Sequence, residues 1–77
     1  NMNYTEKELQ QLNLLALNIK NKRKELNISQ EELAGLSGVD RTYISFLERS
    51  KRNPSILNLQ KVCQGLNTSL SNLLKDV

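Results

Sequence analysis

Residues Ile28–Ser55 read ISQEELAGLSGVDRTYISFLERSKRNPS, with a capping residue near each of two short helical patterns and a glycine between them. Ser29 followed by Glu32 has the S/T-x-x-E form of a capping box, which predicts a helix opening at Gln30. Leu33, Ala34 and Leu36 are expected to face inward before Gly38 ends it. Asp40 offers a cap for a second helix, about Arg41 to Arg49, that buries Ile44 and Leu47. Two short helices crossing through a tight turn need a small residue where they approach, a turn residue free to go left-handed, and apolar anchors. Ala34, Gly38 and the set Val39, Ile44 and Leu47 supply these in that order. Each feature alone is common; the ordered set predicts a helix-turn-helix over residues 29–49.

The entrance to the second helix is unusual. Arg41, Thr42, Tyr43 and Ser45 crowd its first turns, where a plain scaffold helix would carry Glu, Lys or Ala. In a helix-turn-helix the second helix enters the major groove N-terminus first, so these side chains meet base edges. Arg41 has the fork that matches guanine O6 and N7, Thr42 suits a base or a thymine methyl, and Ser45 lies a turn further along for a base contact. Tyr43 brings a ring for packing and a hydroxyl for a base or phosphate. Gln30 opens the preceding helix, where free N–H groups and the helix dipole favour a phosphate. Arg49, Lys51, Arg52 and Asn53 follow the reading helix and are placed to clamp the DNA backbone. By residue type alone the same side chains also suit a solvated face with Tyr43 half-buried. The motif is what lends them weight.

Outside this stretch the chain continues in helices. Thr5 and Glu8 form another capping box, predicting a long first helix from Glu6 to about Leu26, with residues 3–18 as its N-terminal part. Leu9, Leu12, Leu15, Ala16, Ile19 and Leu26 recur on one face, and Asn27 is the expected stop. Pro54 and Ser55 open a fourth helix in which Ile56, Leu59, Val62, Cys63 and Leu66 share a face. Ser69 or Thr68 caps a fifth, with Leu70, Leu73 and Leu74 inward. No strand pattern, repeat or linker is present. The expectation is one all-α domain of five helices spanning residues 1–77, with residues 55–77 forming helices four and five and serving dimerisation.

Composition narrows the function. An apolar fraction of 38% with one Pro and three Gly is too apolar for disorder and too poor in turn residues for a β-sandwich. Eleven Lys and Arg against eight Asp and Glu give a net charge of +3, which alone says little. Its distribution says more: Lys20, Lys22, Arg23 and Lys24 form one cluster and Arg41, Arg49, Lys51 and Arg52 another, a lopsided field suited to a polyanion. No apolar run approaches the ~18 residues of a membrane span. The lone Cys63 has no partner for an internal disulfide and, with no His in the chain, no evident metal partners. A reduced cytoplasmic compartment is the simplest expectation. No poised nucleophile, acid or metal set is apparent, so neither an enzyme nor a cofactor is expected.

The same stretch, with its flanks from about Ile19 to Leu74, resembles the helix-turn-helix regulators of the phage repressor and Cro (XRE) family. Within that family, the pattern DRTYIS.LER..RNPS is most similar to the controller proteins of restriction–modification systems. The resemblance implies a compact five-helix domain of the phage-repressor type. It implies that residues matching Arg41, Thr42, Tyr43, Arg52 and Asn53 touch double-stranded DNA, that the domain is a homodimer on a palindromic operator, and that it regulates its own and an endonuclease gene. Arg23 and Glu48 resemble the family's ion pair between the first and third helices, valued here as an exposed pair at ~0–1 kcal/mol. Three residues depart from the pattern: Lys22 stands where an apolar residue is usual, Gly35 interrupts a helix, and Phe46 falls off the Ile44/Leu47 face.

Two further expectations follow. The dimer is expected to be built mainly from the fifth helix and the end of the fourth, through Ile56, Leu57, Leu70, Leu73 and Leu74. No small-molecule effector is expected, because no segment is left to form a pocket; the signal would be the protein's own concentration. The rival reading is an antitoxin-like or other protein-interaction module with the same fold and secondary DNA binding.

Overall fold

Every helix starts where the sequence places a side-chain cap. The structure, a computed structural model, describes residues 3–77. In α1 (Glu6–Glu25), Thr5 Oγ1 accepts from the Glu8 N–H while Glu8 Oε1 accepts from the Thr5 N–H. Ser29 and Glu32 repeat this box at α2 (Gln30–Ser37). Asp40 Oδ2 takes the Thr42 N–H at 2.9 Å to open α3 (Arg41–Glu48). Ser55 and Ser69 cap α4 (Ile56–Gly65) and α5 (Leu70–Leu73). The first four helices also end alike. Asn27, Gly38, Ser50 and Asn67 have φ of 57°, 70°, 60° and 53°, so each helix closes on a left-handed residue. The paired bonds of a Schellman turn follow, for example Ser50 N–H to Leu47 C=O and Lys51 N–H to Phe46 C=O. No strand occurs among the described residues.

These short elements share one core. Leu15 and Ile19 from α1, Leu33 and Ala34 from α2, and Ile44 and Leu47 from α3 meet Leu59, Val62 and Cys63 of α4, with Leu66 and Leu73 closing it. Burying each Leu, Ile or Val side chain among them stabilises the fold by roughly 1.5–3 kcal/mol before entropy is counted. Only the middle of α1 covers the core. Leu9 and Leu26, expected on its buried face, are exposed at its two ends. Asn18 fastens α5 to α1: its Nδ2 donates to the carbonyls of Leu73 (2.8 Å) and Lys75 (3.2 Å), capping the end of the chain's last turn. Lys22 lies half-buried on α1 with its ammonium 4.0 Å from Glu25.

Two further inward assignments are corrected. Leu36 is 62% exposed, and Ser37 takes the inward place. The reason is the crossing of α2 over α4 at Gly65. A Cβ there would stand 2.2 Å from Ser37 Oγ and 2.9 Å from Leu33 Cδ1, so the helices approach more closely than any side chain at position 65 allows. Ile56, expected on the core face of α4, is exposed; the buried stripe of that helix begins at Leu59.

Candidate nucleic-acid interface

The cap at Asp40 sets how α3 presents itself. Its carboxylate is engaged by the Thr42 N–H, which starts the helix with Arg41 and Thr42 exposed. Ile44, Leu47 and Glu48 turn inward, leaving Arg41, Ser45 and Arg49 in a row along the outer face, one turn apart. Ser45 is half-buried, and its carbonyl accepts a long bond of 3.4 Å from Arg49 Nε. Tyr43 is half-buried against the core, so its ring anchors the helix and only part of it remains for a ligand.

The angle of α3 is fixed from behind by an ion pair. Arg23 Nε and Nη2 donate to the two oxygens of Glu48 at 2.6 and 2.9 Å, and Arg23 Nη1 donates to the Ile28 carbonyl at 2.9 Å. The pair is buried, with side chains only 12% and 1% exposed, and not the surface pair expected from sequence. The hydrogen bonds and charge of Glu48 hold the Arg23 guanidinium above its ordinary pKa, against the desolvation that would lower it. Gln30 joins the same cluster, donating from Nε2 to Glu48 Oε1 at 3.1 Å. Gln30, expected at a phosphate or as a plain polar residue of the first turn, uses one amide hydrogen to brace the carboxylate, leaving the second and the carbonyl oxygen. Three helices are thus tied at one point directly behind the outward row of α3.

At the exit of α3 the Schellman turn folds the chain back, and Arg49, Lys51, Arg52 and Asn53 are all exposed. Neither of the two ion pairs among the described residues involves Arg41, Arg49, Lys51 or Arg52. Arg49 lies over the Phe46 ring at 5.1 Å, and Arg52 over Phe46 at 5.6 Å and Tyr43 at 6.0 Å. A shallow groove lined by Tyr4, Phe46, Arg49, Lys51, Arg52 and Asn53 runs beside them. Sequence reasoning missed the burial of Glu48 and the part of Phe46; Phe46 sits three residues before Arg49, and that spacing was the available signal.

The expected dimer residues separate into two groups. Ile56 (59%) and Leu57 (75%) are exposed at the start of α4, whereas Val62, Cys63 and Leu66 at its end are buried. Leu70 and Leu74 are half-buried against the protein's own core. Leu73 is 3% exposed within the single chain and belongs to that core, so it is corrected from an interface residue to a core residue. Burial pushes the Cys63 thiol above its ordinary pKa, in keeping with an inert core residue.

Comparison with known proteins agrees with this geometry. The helix-turn-helix family profile matches residues 19–73. The control protein C.MunI of a Mycoplasma species is 45% identical over 60 residues, which cover 77% of this chain and 81% of that protein. C.SmaI of Serratia marcescens is 44% identical over 61 residues, covering 79% and 73%. Among solved structures, the restriction–modification controller protein C.AhdI from Aeromonas hydrophila superposes with a TM-score of 0.78 at 35% identity, covering 80% of this chain and 94% of that one. The controller protein C.Esp1396I, solved as a tetramer with its natural 35 base-pair operator, gives 0.78 at 39% identity, covering 83% and 84%. The chain belongs to the helix-turn-helix family, among the controller proteins of restriction–modification systems.

Proposed function

We propose that this chain is a DNA-binding transcription regulator that reads a palindromic operator as a homodimer and controls its own gene and that of an endonuclease. The observation that carries this reading is the outward row of Arg41, Ser45 and Arg49, with Thr42 beside it, on a helix held rigidly from behind by the buried Arg23–Glu48 pair. Arg41 and Thr42 read base edges, with Ser45 and the free part of Tyr43 in support. Arg49, Lys51, Arg52 and Asn53 bind the phosphates at the exit, and the N-terminus of α2 with Gln30 binds one at the other side. Rigidity matters here because base readout fails when the fork of an arginine is displaced by a fraction of a hydrogen-bond length.

The dimer face is proposed at Ile56 and Leu57, exposed at the start of α4, with the exposed parts of Leu70 and Leu74 also contributing. A two-fold axis there sets two copies of α3 about 34 Å apart, one turn of B-DNA. Assembly ties operator occupancy to the protein's own concentration. The test is a titration of the DNA upstream of the gene, and of a scrambled duplex, at several salt concentrations. The upstream DNA should bind about 10³–10⁷-fold more tightly, with occupancy rising more steeply than first order in protein. Equal affinity for both duplexes would overturn the reading in favour of a protein-interaction module.

A further inference from the structure

Phe46 is half-buried, yet it takes no part in the hydrophobic core, where Tyr43 from the same helix does pack. What covers it is charge. The guanidinium of Arg49, one turn further along α3, lies 5.1 Å from its ring centre, and that of Arg52, on the loop beyond, lies at 5.6 Å. Two like charges drawn to one ring repel each other, and no carboxylate joins them in either ion pair of the described residues. Arg49 is further restrained by its bond to the Ser45 carbonyl, and Arg52 by the Tyr43 ring at 6.0 Å. Two guanidinium groups gathered in this way suit an anion. A phosphate oxygen pair accepts a planar fork well, and two forks already gathered at one place lose less freedom on binding it than two free side chains would.

We propose that Phe46 is a positioning residue that orders Arg49 and Arg52 for phosphate at the exit of α3, and so sets sequence-independent affinity without reading bases. This rests on the DNA-binding reading above. An aromatic face contributes to exposed guanidinium placement by an amount that corresponds to about 3- to 10-fold in affinity over the two arginines. Ring identity therefore matters, and apolar bulk alone does not suffice.

The test compares Phe46→Leu, which keeps apolar bulk without a π face, with Phe46→Tyr, which keeps the face. Nitrogen-15 relaxation at the arginine Nε–H groups of the free protein reports their order, and salt-titrated binding to operator and scrambled DNA reports the consequence. Phe46→Leu should loosen Arg49 and Arg52 in the free protein and weaken both duplexes by the same factor, about 3- to 10-fold. Phe46→Tyr should restore both readouts, and Phe46→Leu should have no added effect once Arg49 and Arg52 are both replaced by Gln. Unchanged arginine order, a loss confined to the operator, or a persisting effect without the two arginines would overturn the proposal. If the wild-type protein held neither duplex while the arginine order still fell in Phe46→Leu, the DNA-binding reading would fail and the ordering role alone would survive.

Discussion

Removing Arg23 should damage this domain far more than the loss of a surface charge. Glu48 is 1% exposed and receives three hydrogen bonds, two from Arg23 at 2.6 and 2.9 Å and one from Gln30 at 3.1 Å. Arg23→Met leaves a buried carboxylate with a single amide donor, a loss of about 3–5 kcal/mol. A chain of 77 residues has a total stability of roughly 4–12 kcal/mol, so this is a large share of it. Glu48→Leu leaves the guanidinium behind instead and should cost about as much. The double variant removes both charges and should regain more than half of the single-variant loss. Urea unfolding followed by far-UV circular dichroism, at fixed protein concentration and with the m-value checked, measures all three. The effect should persist at alkaline pH, because the hydrogen bonds to Glu48 raise the Arg23 pKa and keep the guanidinium charged. A loss under ~1 kcal/mol for Arg23→Met, the value of an exposed pair, would show that the buried pair does not hold α3; so would strict additivity in the double variant.

Other variants probe the backbone and the core. Gly65→Ala should destabilise by about 1–3 kcal/mol, since its Cβ would meet Ser37 Oγ and Leu33 Cδ1, whereas Gly35→Ala, with open space around it, should stabilise by up to ~1 kcal/mol; thermal melts of the pair read the contrast. Ser50→Gly should also stabilise by about 1 kcal/mol, because serine there holds a φ of 60° at the end of α3, and a lower melting temperature would count against the turn assigned. Burial raises the Cys63 pKa above 9.0, so the neutral thiol's contribution is complete below that pH and is lost above it, as the unfolded thiol ionises first. Stability should therefore fall by up to ~1.4 kcal/mol per pH unit above 9, and Cys63→Ala should remove that part of the slope.

The local parts of this fold were legible in the sequence. Each cap is a Ser, Thr or Asp at a fixed offset from its helix, and Gly38 and Asn27 end their helices for reasons contained within a few residues. The anchors Ile44 and Leu47 follow from the period of one helix. What was illegible depends on residues distant along the chain. Leu36 and Ser37 exchange roles because Gly65, on another helix, sets the crossing. The resemblance pairs Glu48 with Arg23, but its burial depends on Arg23 and Gln30 closing on it from two other helices. Leu73 was offered to a partner because pattern alone does not tell a side chain buried within the chain from one buried between chains. The outward-facing residues of α3 were found because motif geometry assigns them by position, while Phe46, outside that geometry, needed the arginine placements to be understood.

In the proposed function, α3 reads sequence through Arg41, and the exit of the helix binds DNA without regard to sequence. The most direct measurement is the affinity of Arg41→Ala and Lys51→Ala for the operator, for operators changed at single positions, and for scrambled DNA, across a salt series. Arg41→Ala should lose about 1–3 kcal/mol on the operator alone and relax preference at one base position. Lys51→Ala should weaken every duplex alike and reduce the salt slope by about one unit. If Arg41→Ala lost the same affinity for operator and scrambled DNA, the account of α3 as the reading helix would be contradicted.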